Sequence, residues 1–410
     1  MSKPFNAFSL VQEQIADLET QLLKRKLRIN QSPCDTEALV NHRKLQAFCS
    51  NDYLGLANHP DLIQALAEGA HQYGVGSGAS HLISGHSTAH DLLEKRLASL
   101  QSKHIPNARA LFFSTGYLAN IAAITGLAKL AKPGEVSIYS AKLNHASLID
   151  GVRLASTQSK ASVTLFDHQQ LGSLIDAIKQ DQNSLKMIVT DGVFSMDGDI
   201  APVQELLKIA DQYDALLLVD DAHGFGVLGE QGHGILEQLG IVSDRIIYVG
   251  TLGKAAGVGG AFICAQAPFI EWLIQKGRPY IYSTATPPAI AHALLKSLSI
   301  IESEEGKSRR HQLHRLITHW QNEMHFSHWQ QPVSCTPIQP VILGSNAHAL
   351  AAATTLDELG YWIPAIRPPT VPVGSARLRI TFSANHSIAD LQGLIEALQK
   401  IERQILEQSS

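Results

Sequence analysis

Lys254 stands in a run of small residues, Thr251-Leu252-Gly253-Lys254-Ala255-Ala256-Gly257-Val258-Gly259-Gly260, directly after the apolar run 246–249. A lysine suits so tight a loop when its amine is used, and glycines on both sides let a large group approach the backbone. A Schiff base from Lys254 to the aldehyde of pyridoxal 5′-phosphate (PLP) would use it in that way. A surface lysine in a flexible turn explains this segment equally well, so other positions must decide.

Leu216-Leu217-Leu218-Val219 runs into Asp220-Asp221-Ala222-His223-Gly224. A carboxylate at the end of a buried strand needs a positive partner. A protonated pyridine nitrogen is such a partner, and it makes the ring withdraw electrons from a substrate α-carbon. Asp220 continues the strand and takes that role, Asp221 is expected to point away into the turn, and His223 would donate to the phenolic oxygen. The competing explanations are a metal site or a capped turn. Phe112-Phe113-Ser114-Thr115-Gly116-Tyr117 joins a strand to a helix over 117–129, where free N–H groups of Gly116 and Tyr117 suit a phosphate. Ser114 or Thr115 would cap that helix. His145 follows the strand 136–139 and could stack on a ring or simply cap a helix. Ser195, in Asp191-Gly192-Val193-Phe194-Ser195-Met196-Asp197-Gly198-Asp199, could bond the cofactor rim. Asp197 and Asp199 lack the twelve-position calcium pattern and are expected to serve the turn. Arg377 and Arg379 alternate onto one face of a strand. Arg379 could clamp a carboxylate, whereas Arg377 fits a solvated edge strand. Gly74-Val75-Gly76-Ser77-Gly78-Ala79 matches G-x-G-x-x-A but follows a helix, the reverse of the context a dinucleotide site requires.

The elements that must position these groups follow from periodicity. Residues 8–28 form an amphipathic helix ending in the basic cluster 24–28. Residues 46–58 are extended, with turns at Asn51-Asp52 and Gly55. Helices span 60–73 and 88–101. Apolar runs at 109–113, 136–139, 162–166, 187–190, 215–219 and 245–249 alternate with helices. This pattern gives an α/β fold with a mainly parallel central sheet covered on both faces. Residues 287–325 are helical. Strands near 338–343, 361–366 and 376–382, with helices at 346–359 and 387–404, give a smaller α+β C-terminal domain. The expected division is an N-terminal helix and arm (1–58), a large PLP-binding domain (59–285), and a bridging helix with the C-terminal domain (286–410).

The 410 residues are 45% hydrophobic with a net charge of −4, so no basic excess points to nucleic acid or a membrane surface. No stretch reaches membrane-spanning length, and Met1-Ser2-Lys3-Pro4-Phe5 opens no apolar leader, so a cytoplasmic protein is expected. The four cysteines form no C-x-x-C, and the 19 histidines form no H-E-x-x-H, so no metal is expected and most histidines are assigned to surface or packing.

Taken in order, the chain resembles the α-oxoamine synthase family of PLP-dependent transferases with the aminotransferase fold-type I. The likeness spans about 45–400. It is carried by Gly-Ser-Gly-x-Ser at 76–80, Ser84-Gly85, Gly116-Tyr117, His145, Phe194-Ser195-Met196-Asp197-Gly198, Asp220-x-x-His223-Gly224, Thr251-x-x-Lys254 and Tyr282-Ser283-Thr284. The resemblance implies that Lys254 holds PLP covalently, Asp220 pairs with the ring nitrogen, His223 with the phenolic oxygen, and His145 stacks on the ring. It implies phosphate contacts from Gly116, Tyr117 and Thr251, with Ser195 near the ring oxygen. It further implies a homodimer with shared sites, Thr284 reaching the neighbour's phosphate, Arg379 on a substrate carboxylate, and Thr370 and Arg28 on substrate. The stretch 366–372 is similar to the branch that condenses L-alanine with a pimeloyl thioester, carried on coenzyme A or an acyl carrier protein, in biotin synthesis. Siblings that use glycine to make aminoketobutyrate or aminolevulinate carry other residues at Arg367 and Pro368. An NAD-dependent oxidoreductase and a non-catalytic PLP-binding regulator are the rival classes. The chain departs from the family pattern at Ala79, where glycine is common, and at Phe225, where threonine is common. Phe225 is expected to narrow the entrance to the site.

Overall fold

The computed structural model describes residues 6–407, so the leader expectation at 1–5 lies outside the described residues. Packing divides the chain into two compact units, one of residues 1–50 with 314–410 and one of 51–313. The helix Pro288–Ile301, grouped by sequence with the C-terminal part, belongs to the larger unit, where it packs on the helix Pro60–Tyr73.

The first helix, Ala7–Thr20, is capped by Asn6, whose side chain accepts from the N–H groups of Phe8 and Ser9. It stops well short of residue 28, and Leu22 takes a left-handed backbone at φ 58°. The basic cluster 24–28 therefore lies beyond the helix, not in its last turn. Strands β1 (Glu37–Val40) and β2 (Arg43–Ala47) form an antiparallel hairpin. Its two-residue turn, Asn41-His42, has φ values of 49° and 64°, the left-handed pair that matches strand twist.

The larger unit holds β3 (Ala108–Phe113), β4 (Val136–Ala141), β5 (Ser162–Phe166), β6 (Leu185–Asp191), β7 (Ala215–Asp220), β8 (Ile246–Thr251) and β9 (Ala261–Gln266). They form one sheet in the order β3-β9-β8-β7-β6-β4-β5. Only β9 runs against the others, paired antiparallel to both β3 and β8. Six of these strands match the apolar runs read from sequence; β9 does not figure among them. β4 is buried along its whole length and β7 at every residue but Leu216, because helices cover both faces. The helix Gly116–Leu127 packs Ala119, Ala122, Ala123 and Ile124 into one core with Val189, Leu218 and Val249. Small alanines bring that helix close to the sheet. Gly74–Ala79 indeed follows the helix Pro60–Tyr73, so the dinucleotide context is absent there. Phe225 is 1% exposed and packs edge-on against Phe262, so it fills the core instead of narrowing an entrance.

In the smaller unit, β10 (Ile338–Gly344), β11 (Tyr361–Trp362), β12 (Ala365–Ile366) and β13 (Ala376–Thr381) complete the strands. The expected strand 361–366 is cut in two: β11 joins β2, β12 joins β13, and Pro364, which has no N–H, stands between them. β13 is the middle strand of the order β10-β13-β12, and all six of its residues are buried. Arg377 is 4% exposed, which overturns the solvated edge strand expected for it.

Candidate active site

Two carboxyl groups end adjacent strands. Asp191 closes β6 and Asp220 closes β7, in register with each other. Asp220 Oδ2 accepts from Asn120 Nδ2 at 2.6 Å, and Oδ1 accepts from the Ala222 N–H at 3.0 Å. Asn120 also donates to Ser147 Oγ at 2.9 Å. Asp191 Oδ2 accepts the His145 N–H at 2.7 Å. Burial pushes the Asp191 carboxyl well above the usual carboxylate range, and neighbouring Asp220 adds to that rise. Asp221 points away from the cavity, its carboxyl against Gly224 of the turn that follows. It is buried on the opposite side of the strand, where Oδ2 accepts from the Ile235 N–H at 2.7 Å and the Tyr248 hydroxyl at 2.8 Å. Burial raises its carboxyl to about 7.

His145 caps the helix Ala146–Ser159, accepting the Ser147 N–H at 3.3 Å. Its Nδ1 also lies 2.7 Å from Ser147 Oγ. Burial lowers its pKa, Asp220 opposes that shift and Lys254 adds to it. The imidazole is therefore held toward its neutral form, the form that presents a flat face without repelling a cation. Lys254 Nζ is 2.8 Å from His223 Nε2, and His223 Nδ1 is 2.6 Å from the hydroxyl of buried Tyr53.

The opposite wall is a helix start. Thr115 caps the helix Gly116–Leu127, its side chain accepting the Leu118 N–H at 3.2 Å, which leaves the first N–H groups to a ligand. A Cβ on Gly116 would come within 2.8 Å of Thr251 Oγ1, so glycine keeps that corner open beside a hydroxyl donor. Gly116, Tyr117, His145, Asp220, His223, Thr251 and Lys254 all line one cavity of about 170 Å³, with Asn120 and Asp191. Its donors fit PLP group by group: N–H groups and a hydroxyl for the phosphate, a carboxylate for the ring nitrogen, a lysine for the aldehyde, and a flat imidazole.

The remaining expected residues are placed elsewhere. Ser195 is half-buried in the turn after β6 and is not in the cavity lining. Thr284 is exposed and bridges by backbone to Ser80. In the smaller unit, Arg379 is 6% exposed on β13, and Thr370 is exposed. Arg28 pairs with Asp357 at 2.6 Å and lies over the Trp362 ring. Asn120, Asp191 and Tyr53 were not singled out from sequence. Asp191 carried the same signal as Asp220, a carboxylate directly after an apolar strand.

The sequence matches the family model for aminotransferase class I and II over residues 43–398. It is 52% identical to the 8-amino-7-oxononanoate synthase of Bordetella petrii over 387 residues, covering 94% of this chain and 96% of that one. The fold is similar to that of Sphingomonas wittichii serine palmitoyltransferase, with a TM-score of 0.86 and 28% identity, over 98% and 99% of the two chains. It is also similar to the solved 8-amino-7-oxononanoate synthase of Francisella tularensis, with a TM-score of 0.73 and 31% identity, over 89% and 99%.

Proposed function

The chain belongs to the aminotransferase class I and II family, and from that premise we propose how it works as a PLP-dependent acyltransferase that makes 8-amino-7-oxononanoate. In this proposal L-alanine condenses with a pimeloyl thioester, on coenzyme A or a carrier protein, in biotin synthesis. A carbon–carbon bond forms between the alanine α-carbon and the thioester carbonyl, the carbon–sulfur bond breaks to release thiol, and the alanine carboxylate leaves as CO₂. The observation that carries this reading is the meeting of Lys254, His223 and Asp220 at the phosphate-ready start of the helix Gly116–Leu127.

Bound in that cavity, PLP supplies an electron-poor ring that takes up the electron pair freed at the substrate α-carbon. Lys254 would hold the cofactor through its aldehyde, and its amine, once freed, would remove the α-proton of the amino acid. After CO₂ has left, the same amine returns a proton to that carbon. Asp220, fixed by Asn120 and the Ala222 N–H, keeps the ring nitrogen protonated. His223, braced by Tyr53, would meet the phenolic oxygen, and His145 would cover the ring. Gly116, Tyr117 and Thr251 hold the phosphate, with Ser195 near the ring oxygen. Arg379 binds the substrate carboxylate, and Thr370 and Arg28 contact substrate. The enzyme acts as a homodimer in which Thr284 serves the neighbour's phosphate; a solution mass of one chain, 44.5 kDa, would overturn that part.

The deciding experiment is an absorbance titration of the PLP-loaded enzyme with L-alanine, glycine and then pimeloyl-coenzyme A. The expected result is a yellow band that shifts with alanine, followed by thiol release. A response to glycine alone would move the chain to a sibling reaction. A protein that takes up no PLP would discard the mechanism.

A further inference from the structure

Three of the histidines assigned by sequence to surface or packing converge outside the cofactor cavity. His81, His86 and His90 each present a ring nitrogen within 4.8 Å of the other two. The local backbone brings them together. Residues His81–Gly85 form one turn of π-helix, closed by the Gly85 N–H on the Ser80 carbonyl at 2.9 Å, which swings His86 round to His81. A Cβ on Gly85 would meet the Ala79 carbonyl oxygen at 2.1 Å, so only glycine allows this turn. Four residues further, His90 lies in the first turn of the helix Thr88–Gln101, which begins after the extended His86 and the cap Ser87.

We propose that His81, His86 and His90 bind a divalent cation of the zinc type through their Nδ1 atoms. His81 Nδ1 and His86 Nδ1 already stand 3.0 Å apart. Zinc–nitrogen bonds of about 2.0–2.1 Å in a tetrahedron set ligand nitrogens roughly 3.4 Å apart, so small ring movements complete the set. The outer nitrogen of His90 is arranged as a metal site requires. His90 Nδ1 accepts the Ser87 N–H at 3.0 Å, which fixes the proton on Nε2, and Nε2 donates to the Thr286 carbonyl at 2.8 Å. That Nδ1 lone pair is turned to Ser87, whose Oγ also lies 3.0 Å away, so a cation binds His90 by displacing the Ser87 contacts. His86 Nε2 lies 3.9 Å from the Glu94 carboxyl, beyond hydrogen-bond length, so this ring is free to turn toward the cluster. Three imidazoles with no thiolate suit zinc and its cobalt or nickel neighbours over magnesium or calcium.

The test is cobalt(II) titration of the PLP-loaded, chelator-treated enzyme, read by the long-wavelength absorption of tetrahedral cobalt, with zinc as competitor. The expected result is one cobalt per chain, displaced by zinc. In His86→Ala, a substitution at an exposed side chain, affinity falls by more than about tenfold while the yellow cofactor band is retained. His71→Ala, on a different helix, leaves cobalt binding unchanged. Zinc should also raise the thermal midpoint of the parent enzyme and not that of His86→Ala. Equal cobalt uptake by the parent and His86→Ala would overturn the site, as would no uptake by the parent. Neither outcome bears on the PLP reading, which the cofactor band reports separately.

Discussion

Asp220 is held by two donors and so keeps one orientation; Asn120 supplies one of them and ties it to Ser147. A buried hydrogen bond to a charged group contributes about 1.5–3 kcal/mol, so Asn120→Ala should slow turnover roughly ten- to hundredfold while PLP still binds. Steady-state kinetics beside a PLP titration separate the two effects, and an unchanged rate would remove Asn120 from the site. Lys254→Ala should lose both turnover and the yellow band; retained activity would end the proposed mechanism. At this scale the sequence was informative wherever a reactive side chain directly followed an apolar strand, as with Asp220 and Lys254. It was blind to Tyr53, because the partner of that hydroxyl, His223, is 170 residues away. Asn120 sits inside an apolar helix, and nothing local announces that its amide turns toward a strand end.

Elements place these groups, and the helix Gly116–Leu127 does two jobs. Its alanine face packs on the sheet, and its capped start forms one wall of the cavity. Gly116→Ala would push a methyl group to within 2.8 Å of Thr251 Oγ1. The expected outcome is weaker PLP retention, by about tenfold or more, with little change in thermal midpoint. A fluorescence titration of stripped enzyme measures it, and a wild-type affinity would show that the corner holds no phosphate. Periodicity located the helices Pro60–Tyr73 and Thr88–Gln101 to the residue. It overran Thr20 because the basic residues that follow keep a polar-apolar texture although Leu22 breaks the backbone geometry. The strand β9, Ala-Phe-Ile-Cys-Ala-Gln, escaped because a short apolar run has no period of its own. The buried arginines of β13 misled for a related reason: alternation reports a shared face, not whether that face is covered.

For the whole molecule, buried histidines couple stability to acid, and His386 is one of them. In the smaller unit, His386 is 2% exposed, stacks on Phe48 with ring centroids 4.0 Å apart, accepts the Ser383 N–H and bonds the Ala47 carbonyl. Burial lowers its pKa from 6.5 to about 4. The unfolded imidazole takes a proton below about pH 6.5 and the folded one resists until about 4. The unfolded state therefore binds more protons in that window, and stability is lost as pH falls from 6.5 to 4, by on the order of 3 kcal/mol. Urea midpoints across that range should fall less steeply in His386→Gln than in the parent. Parallel slopes would show that the ring titrates normally. The parallel sheet itself was legible, since its covered strands are almost wholly apolar. The order of its strands was not, because crossovers leave no local mark. That order leaves β5 at one margin, paired among the described residues with β4 alone, with Val163 and Leu165 40% and 58% exposed. Ser-Val-Thr-Leu-Phe carries no charge and no proline, so its open row of N–H and C=O groups is a template on which another extended chain can add. Insoluble assembly on storage or heating should begin from this margin, and Leu165→Lys should delay turbidity without altering catalysis.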